Sequence, residues 1–196
     1  MELEPKTLNN KFVTLEPIHE SHRELLRQPA GDPETWQLTT IRGDGQYFDR
    51  WFDLMLTNQV NNNSISHIVF YGGKVIGHTA FLEISAAFDK VEIGWTWYEQ
   101  PHRGTKVNPA CKHLLLSRAF ECGAERVELK THHKNLTSQS AILKMGAKKE
   151  GVLRHHAKMW DGSYRNTVFF SVLRKEWPAV KASLDLRLLT ADHHNT

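Results

Sequence analysis

The chain of 196 residues has no uninterrupted apolar run of the roughly 18 residues that a membrane helix needs, which sets a transmembrane reading aside. Its polar start, "MELEPKTLNNKF", lacks the apolar stretch of a secretory signal. There are only two cysteines, Cys111 and Cys122, in one apparent helix and too far apart to pair along it. That excludes a disulfide scaffold and fits small buried thiols in a protein expected to be cytoplasmic. Dense Lys/Arg runs are missing too. A net charge of +3 suits an anionic small ligand and offers no basic stripe for nucleic acid. Internal repeats, a Walker-type Gly-x4-Gly-Lys-Ser/Thr loop and a Gly-x-Gly-x-x-Gly dinucleotide turn are all absent.

What is present suits one globular domain, with 40% hydrophobic and 24% charged residues. The expected domain spans residues 1–178, followed by a helical or frayed tail over 179–196. "FVTLEPI" alternates as a first strand, and "HESHRELLRQ" reads as a short helix. The segment from Pro29 to Gly45 is rich in Gly, Pro, Asp and Thr and reads as a loop. Phe48, Trp51, Phe52, Met55 and Leu56 recur at helical spacing. "SHIVFYGGKVIGHTAFLEIS" is two strands around Gly72-Gly73, and "FDKVEIGWTWYE" adds a third. After this meander, a helix from Pro109 to Cys122, a strand "RVELKTH", a helix from Asn135 to Gly146 and a hairpin turning at Asp161-Gly162 follow. A strand–helix–strand crossover within a largely antiparallel set implies an α+β fold, a mixed twisted sheet of six to seven strands flanked by helices.

The stretch "WTWYEQPHRGTKVNPACKHLLL" joins an aromatic strand to a polar loop and a helix. Asn108 reads as the N-cap and Pro109 as the first helical residue. Amides at such a start face outward with the positive end of the helix dipole, and phosphate is their natural occupant. Arg103, Lys106 and Lys112 add positive charge around it. The bland alternative is an ordinary capped helix with solvated basic residues.

With "VEIGWTW", "HRGTKVNPACKHLLLSRAFE", "RVELKTHHKNLTSQSAILKMGAKKEGVLR" and "DGSYRNTVFFSVL" in this order, the chain resembles the GNAT superfamily of acyl-CoA N-acyltransferases. It is most similar to the RimJ/RimL branch of ribosomal-protein N-terminal acetyltransferases. The resemblance runs from Phe12 to Trp177. It implies acetyl-CoA as cosubstrate, an amine acceptor and a homodimer. The loop Arg/Gln-x-x-Gly-x-Gly/Ala of that family holds the CoA pyrophosphate on its amides. Here Arg103 matches its first position, Lys106 stands at the first glycine and Asn108 at the second, so Arg103, Gly104, Thr105, Lys106, Val107 and Asn108 are the expected cradle. Asn135 matches the residue beside the pantetheine arm, and Ser138 and Gly146 follow at the family spacing. The tyrosine that many members use to protonate the leaving thiolate is replaced by Ile142. In RimL-like members a serine at the place of Ser138 is implicated instead.

Acetyl transfer needs a neutral amine, a polarised thioester and a leaving thiolate. On "VEIGWTW", simple alternation puts Glu92, Gly94 and Thr96 on one face and Val91, Ile93, Trp95 and Trp97 on the other. Glu92, eleven residues before Arg103, is the expected base, acting through water, where some GNAT enzymes place a catalytic glutamate. A solvated or salt-bridged strand carboxylate is its plain alternative. The resemblance assigns thioester polarisation to a backbone N–H among Trp95, Thr96 and Trp97. Ser138 would donate to the thiolate, or simply serve the start of its helix. Trp36, Tyr47, Trp160 and Tyr164 are expected to line the acceptor pocket. His132-His133 and His155-His156 give one ligand per strand face, with no Cys or carboxylate cluster at zinc spacing, so no metal is expected. A non-catalytic acyl-CoA sensor is the competing function, which Lys106 and Ile142 would both permit.

Overall fold

The computed structural model describes residues 1–190; residues 191–196, the end of the expected tail, lie outside the described residues. The strands are β1 (Leu8–Asn9), β2 (Thr14–Pro17), β3 (Ser64–Tyr71), β4 (Lys74–Ser85), β5 (Lys90–Tyr98), β6 (Arg126–His132), β7 (Lys148–Lys158) and β8 (Tyr164–Leu173). The helices are α1 (Arg23–Arg27), α2 (Phe48–Val60), α3 (Val107–Glu121), α4 (Leu136–Met145) and α5 (Trp177–Thr190). These eight strands form one sheet, ordered β1-β2-β3-β4-β5-β6-β8-β7. That is one strand beyond the expected six to seven: the two-residue β1 sits in a polar segment without alternation. Among the described residues only β5 and β6 are parallel, as the crossover through α3 requires. Gly72 and Gly73, with φ of +56° and +77°, make the tight β3–β4 turn where alternation breaks.

Helices cover both faces. On one, α3, α4 and α5 pack over Val91, Ile93, Val127, Leu129 and Phe170. Val180, Leu184 and Leu188 join that core, so α5 is held by the same packing as the sheet. On the other face α1 and α2 bury Trp36, Trp51, Phe52, Met55 and Trp97.

Simple alternation fails in β5. Ala80 pairs with Gly94 and His78 with Trp97, so β4 advances two residues while β5 advances three. The extra residue is a β-bulge, and Trp95 takes a left-handed φ of +47° within it. Side-chain parity reverses there. Val91, Ile93 and Tyr98 face the α3 side, while Trp97 joins the aromatic core beneath α2. Thr96 also turns to α3, away from the face of Glu92. Parallel pairing with β6 covers only Lys90, Val91 and Glu92, and beyond them the strands part.

The bulge lies close over its neighbour. A Cβ at Gly77 would stand 2.2 Å from the Trp97 carbonyl oxygen and 2.9 Å from Tyr98 Cα, both backbone atoms of the bulged strand. Gly77→Ala is therefore expected to destabilise the protein by about 3 kcal/mol or more, measured as a lower urea midpoint.

Candidate active site

The gap between the parted strands opens into a cleft of about 560 Å³ that runs along both β5 and β6. Its two sides differ in chemistry. Towards α3 and α4 it is bordered by Thr96, Asn108, Lys112, Asn135, Ser138 and Ile142. Across the sheet it meets Trp36, Glu92, Lys130, His132 and Arg165. Of the residues expected from sequence, Trp36, Glu92, Trp95, Thr96, Trp97, Arg103, Gly104, Asn108, Asn135 and Ser138 line this cleft. Thr105, Lys106, Val107, Tyr47, Trp160 and Tyr164 stand outside its wall.

The loop into α3 is built differently from the expected cap. Helix α3 begins at Val107 with Lys106 as N-cap, so Asn108 and Pro109 lie inside the first turn. Pro109 fits there because an N–H in the first turn has no intrahelical partner; the first such bond runs from the Ala110 N–H to the Lys106 carbonyl, at 2.9 Å. The Asn108 side chain instead accepts from the Tyr98 hydroxyl at 3.3 Å. Lys106 has φ −64° and ψ −17°, ordinary right-handed angles that need no glycine. The left-handed residue of the loop is Gly104, at φ +75°. Lys106 also lies 5.1 Å from the Phe12 ring centre, and Val107 is buried in the main core. Thr105 Oγ1 accepts the Val107 N–H at 3.3 Å.

Arg103 is tied down. Its Nε donates to the Tyr98 carbonyl at 2.9 Å, and its Nη2 donates to Thr35 Oγ1 at 2.6 Å and pairs with Asp32 at 3.1 Å. The expected mobile charge is thus a clip between this loop and the first long loop. At α4, Asn135 is the N-cap, and its side-chain oxygen accepts the Ser138 N–H at 3.0 Å. That leaves the half-buried Ser138 hydroxyl unneeded for capping.

Lys130 and Arg165 in the cleft, and His78 behind it, are not singled out by the sequence, and Lys112 is read there only as positive charge around the phosphate. Lys112, expected as positive charge around the phosphate, is instead buried and donates from Nζ to Thr96 Oγ1 at 2.9 Å. Lys130 Nζ bridges Glu92 and Glu83 at 2.8 Å each. Burial raises the Glu92 pKa above the ordinary carboxylate value, and the Lys130 ammonium offsets this only in part. Arg165 lies beside them and donates from Nε to Thr167 Oγ1 at 3.0 Å. His78 acts from behind the strand. Its Nδ1 lies 3.0 Å from the carbonyl oxygen of Trp95, which can only accept, so Nδ1 carries the proton and pins the bulge. A histidine inside the apolar run of β4 is the nearest thing to a signal for it.

The first long loop and the β7–β8 turn meet. The Trp160 indole N–H donates to the Trp36 carbonyl at 3.0 Å. The Arg42 guanidinium lies over both the Tyr47 and Trp160 rings, 4.8 and 4.6 Å from their centres. Tyr164 stacks on His155 instead, with ring centres 5.7 Å apart. No group of three His, Cys, Asp or Glu residues that could hold a metal occurs among the described residues.

A mixed sheet whose central parallel pair is parted by a bulge, with two helix starts at the gap, defines the class of acyl-CoA-dependent N-acyltransferases. Residues 13–148 match the acetyltransferase (GNAT) domain, and the chain belongs to this family of acetyl-CoA-dependent enzymes. It is 32% identical to a protein from T. thermophilus assigned as an acetyltransferase, over 96% of this chain and 100% of that one, with a TM-score of 0.86. The fold also matches Mycobacterium smegmatis RimJ in complex with CoA-disulfide, at 16% identity, 93% and 94% coverage and a TM-score of 0.80. A Salmonella typhimurium acetyl transferase described as modifying the N-terminal serine of ribosomal protein L7/L12 shares it at 15% identity, 86% and 99% coverage and a TM-score of 0.75. No curated protein matches the chain. No helix among the described residues is long and apolar enough to cross a membrane.

Burial holds the His78 pKa at about 4, against an ordinary value of 6.5. The unfolded chain therefore binds this proton first, and stability declines as pH falls from 6.5 towards 4. The loss is about 3 kcal/mol at most for this one group. His78→Gln is expected to flatten that part of the stability curve, read from urea titrations at each pH.

Proposed function

We propose that the chain transfers the acetyl group of acetyl-CoA directly to a primary amine, the α-amine of a protein N-terminus or of a small molecule. The observation that carries this is a single cleft with helix starts on one side of the sheet and a buried carboxylate on the other. In this scheme the CoA pyrophosphate lies on the loop Arg103–Asn108 and the start of α3, held by amides and the helix dipole. Right-handed angles at Lys106 and the left-handed glycine at 104 support this, because they give a tight turn without a glycine at 106. The pantetheine arm passes Asn135 and enters the gap beside β5. An N–H of the bulged segment Trp95–Trp97 polarises the thioester carbonyl, as an oxyanion donor would.

The amine enters from the opposite side, between Trp36 and the loops tied by Trp160 and Tyr47. Glu92 accepts its proton through a water molecule. The raised pKa of Glu92 supports that role, since a base is most effective when its pKa approaches the working pH. Ser138 hydrogen-bonds the departing thiolate. The likeness to the Salmonella acetyl transferase, which modifies a ribosomal-protein N-terminus, favours a protein N-terminus as acceptor. A homodimer is the assembly suggested by the family resemblance.

Calorimetry with acetyl-CoA and a transfer screen over peptides of varied N-terminus, polyamines and amino acids test the scheme. Binding with turnover on at least one amine is expected. Absence of binding overturns it, and binding without turnover on any amine marks an acyl-CoA sensor. Glu92→Gln is expected to slow turnover about 100-fold at neutral pH and to remove the lower limb of the pH–rate profile. An unchanged profile rejects Glu92 as the base.

A further inference from the structure

Lys112 is more than nine-tenths buried, in the second turn of α3 and facing the cleft. An ammonium has three donors. Among the described residues, its one hydrogen bond goes to Thr96 Oγ1, and no carboxylate forms an ion pair with it. A buried charge left so incompletely satisfied is costly unless a ligand completes it. Thr96 belongs to the bulged segment whose N–H groups are assigned to the thioester carbonyl. With Nζ 2.9 Å from the Thr96 side chain, the ammonium stands beside the segment to which that scheme assigns the thioester.

The tyrosine that many family members use as the acid at that place is missing. Ile142 borders the cleft in the position of the family tyrosine. A serine hydroxyl is a far weaker acid than a thiol, so Ser138 can hydrogen-bond a thiolate without neutralising it.

We propose that Lys112 is a further catalytic residue, whose ammonium stabilises the departing CoA thiolate and gives it a proton. The proposal rests on the acetyl-transfer scheme above. The acceptor nitrogen forms its bond to the acetyl carbon and loses a proton towards Glu92. The C–S bond then breaks, its electron pair goes to sulfur, and sulfur takes a proton from Lys112. Solvent returns that proton, so the proton lost by nitrogen balances the one gained by sulfur.

Burial lowers the Lys112 pKa to about 8. The group is still mostly protonated at neutral pH and is closely matched to a thiol near about 8.5. Of the groups around it, Glu92 favours its charged form. Burial keeps Cys111 and Tyr98 protonated and neutral, and disfavours the charged form of His132. Lys130 is occupied by Glu92 and Glu83, while Arg165 is a second cation of the cleft.

The test is a pH titration of CoA bound to the protein, followed by the ultraviolet absorbance of the thiolate. The bound thiol is expected to be about tenfold more acidic than free CoA in the wild type and unshifted in Lys112→Met. Turnover should fall about 100-fold in that variant, with acetyl-CoA affinity within about threefold of wild type. Lys112→Gln serves if Lys112→Met does not fold. CoA that fails to bind the wild type overturns both the acetyl-transfer scheme and this proposal. CoA that binds, but with the thiol acidity of free CoA, overturns this proposal alone, as does full turnover in either variant.

Discussion

The hydrogen bond from His78 to the Trp95 carbonyl holds the point at which β4 and β5 fall out of step. A residue inserted in one strand of an antiparallel pair bends that strand and disrupts its pairing locally. The other neighbour of β5 is β6, and pairing with it ends at Glu92. Without the insertion, β5 and β6 could continue side by side and close the gap. The histidine that pins the insertion is itself completely buried, sharing its core with Trp51 and Trp97. The packing of α2 is therefore connected to the opening of the cleft by one imidazole.

The reversed parity also divides the chemistry. Before the bulge, Glu92 points to the face that carries Lys130 and Arg165; after it, Thr96 and Tyr98 point to α3. One strand thus supplies a carboxylate to one side of the sheet and a hydroxyl anchor for Lys112 to the other. A regular strand of the same length would have placed both on a single face. In the proposed scheme this separation would let the two reactants approach the same backbone segment from opposite faces of the sheet.

Much of this is legible from local chemistry. The order of elements follows from periodicity, the β3–β4 turn from Gly72-Gly73, and the start of α4 from Asn135 with Ser138 three residues on. These signals lie within one turn or one strand. The parity switch is not legible by counting, although Gly94, an isolated glycine in a strand, is a hint of a bulge. Lys112 misleads because a lysine on a helix usually reaches solvent, and only the packing of α3 against β5 buries it. The motif makes Lys106 the awkward residue, whereas the left-handed angle falls two positions earlier on Gly104. The loop's unusual backbone is present, but in a different register from the motif.

The bond between Trp160 and Trp36 joins segments 124 residues apart in sequence. Arg42 strengthens the junction by lying against both Tyr47 and Trp160. If these loops border the acceptor entrance, as proposed above, that border is a composite, and neither loop has a shape of its own to pass on. During divergence, a change in one loop alters the surface against which the other is moulded. Acceptor preference should then evolve by paired substitutions, and a loop transplanted singly from a relative should bring little of that relative's selectivity with it.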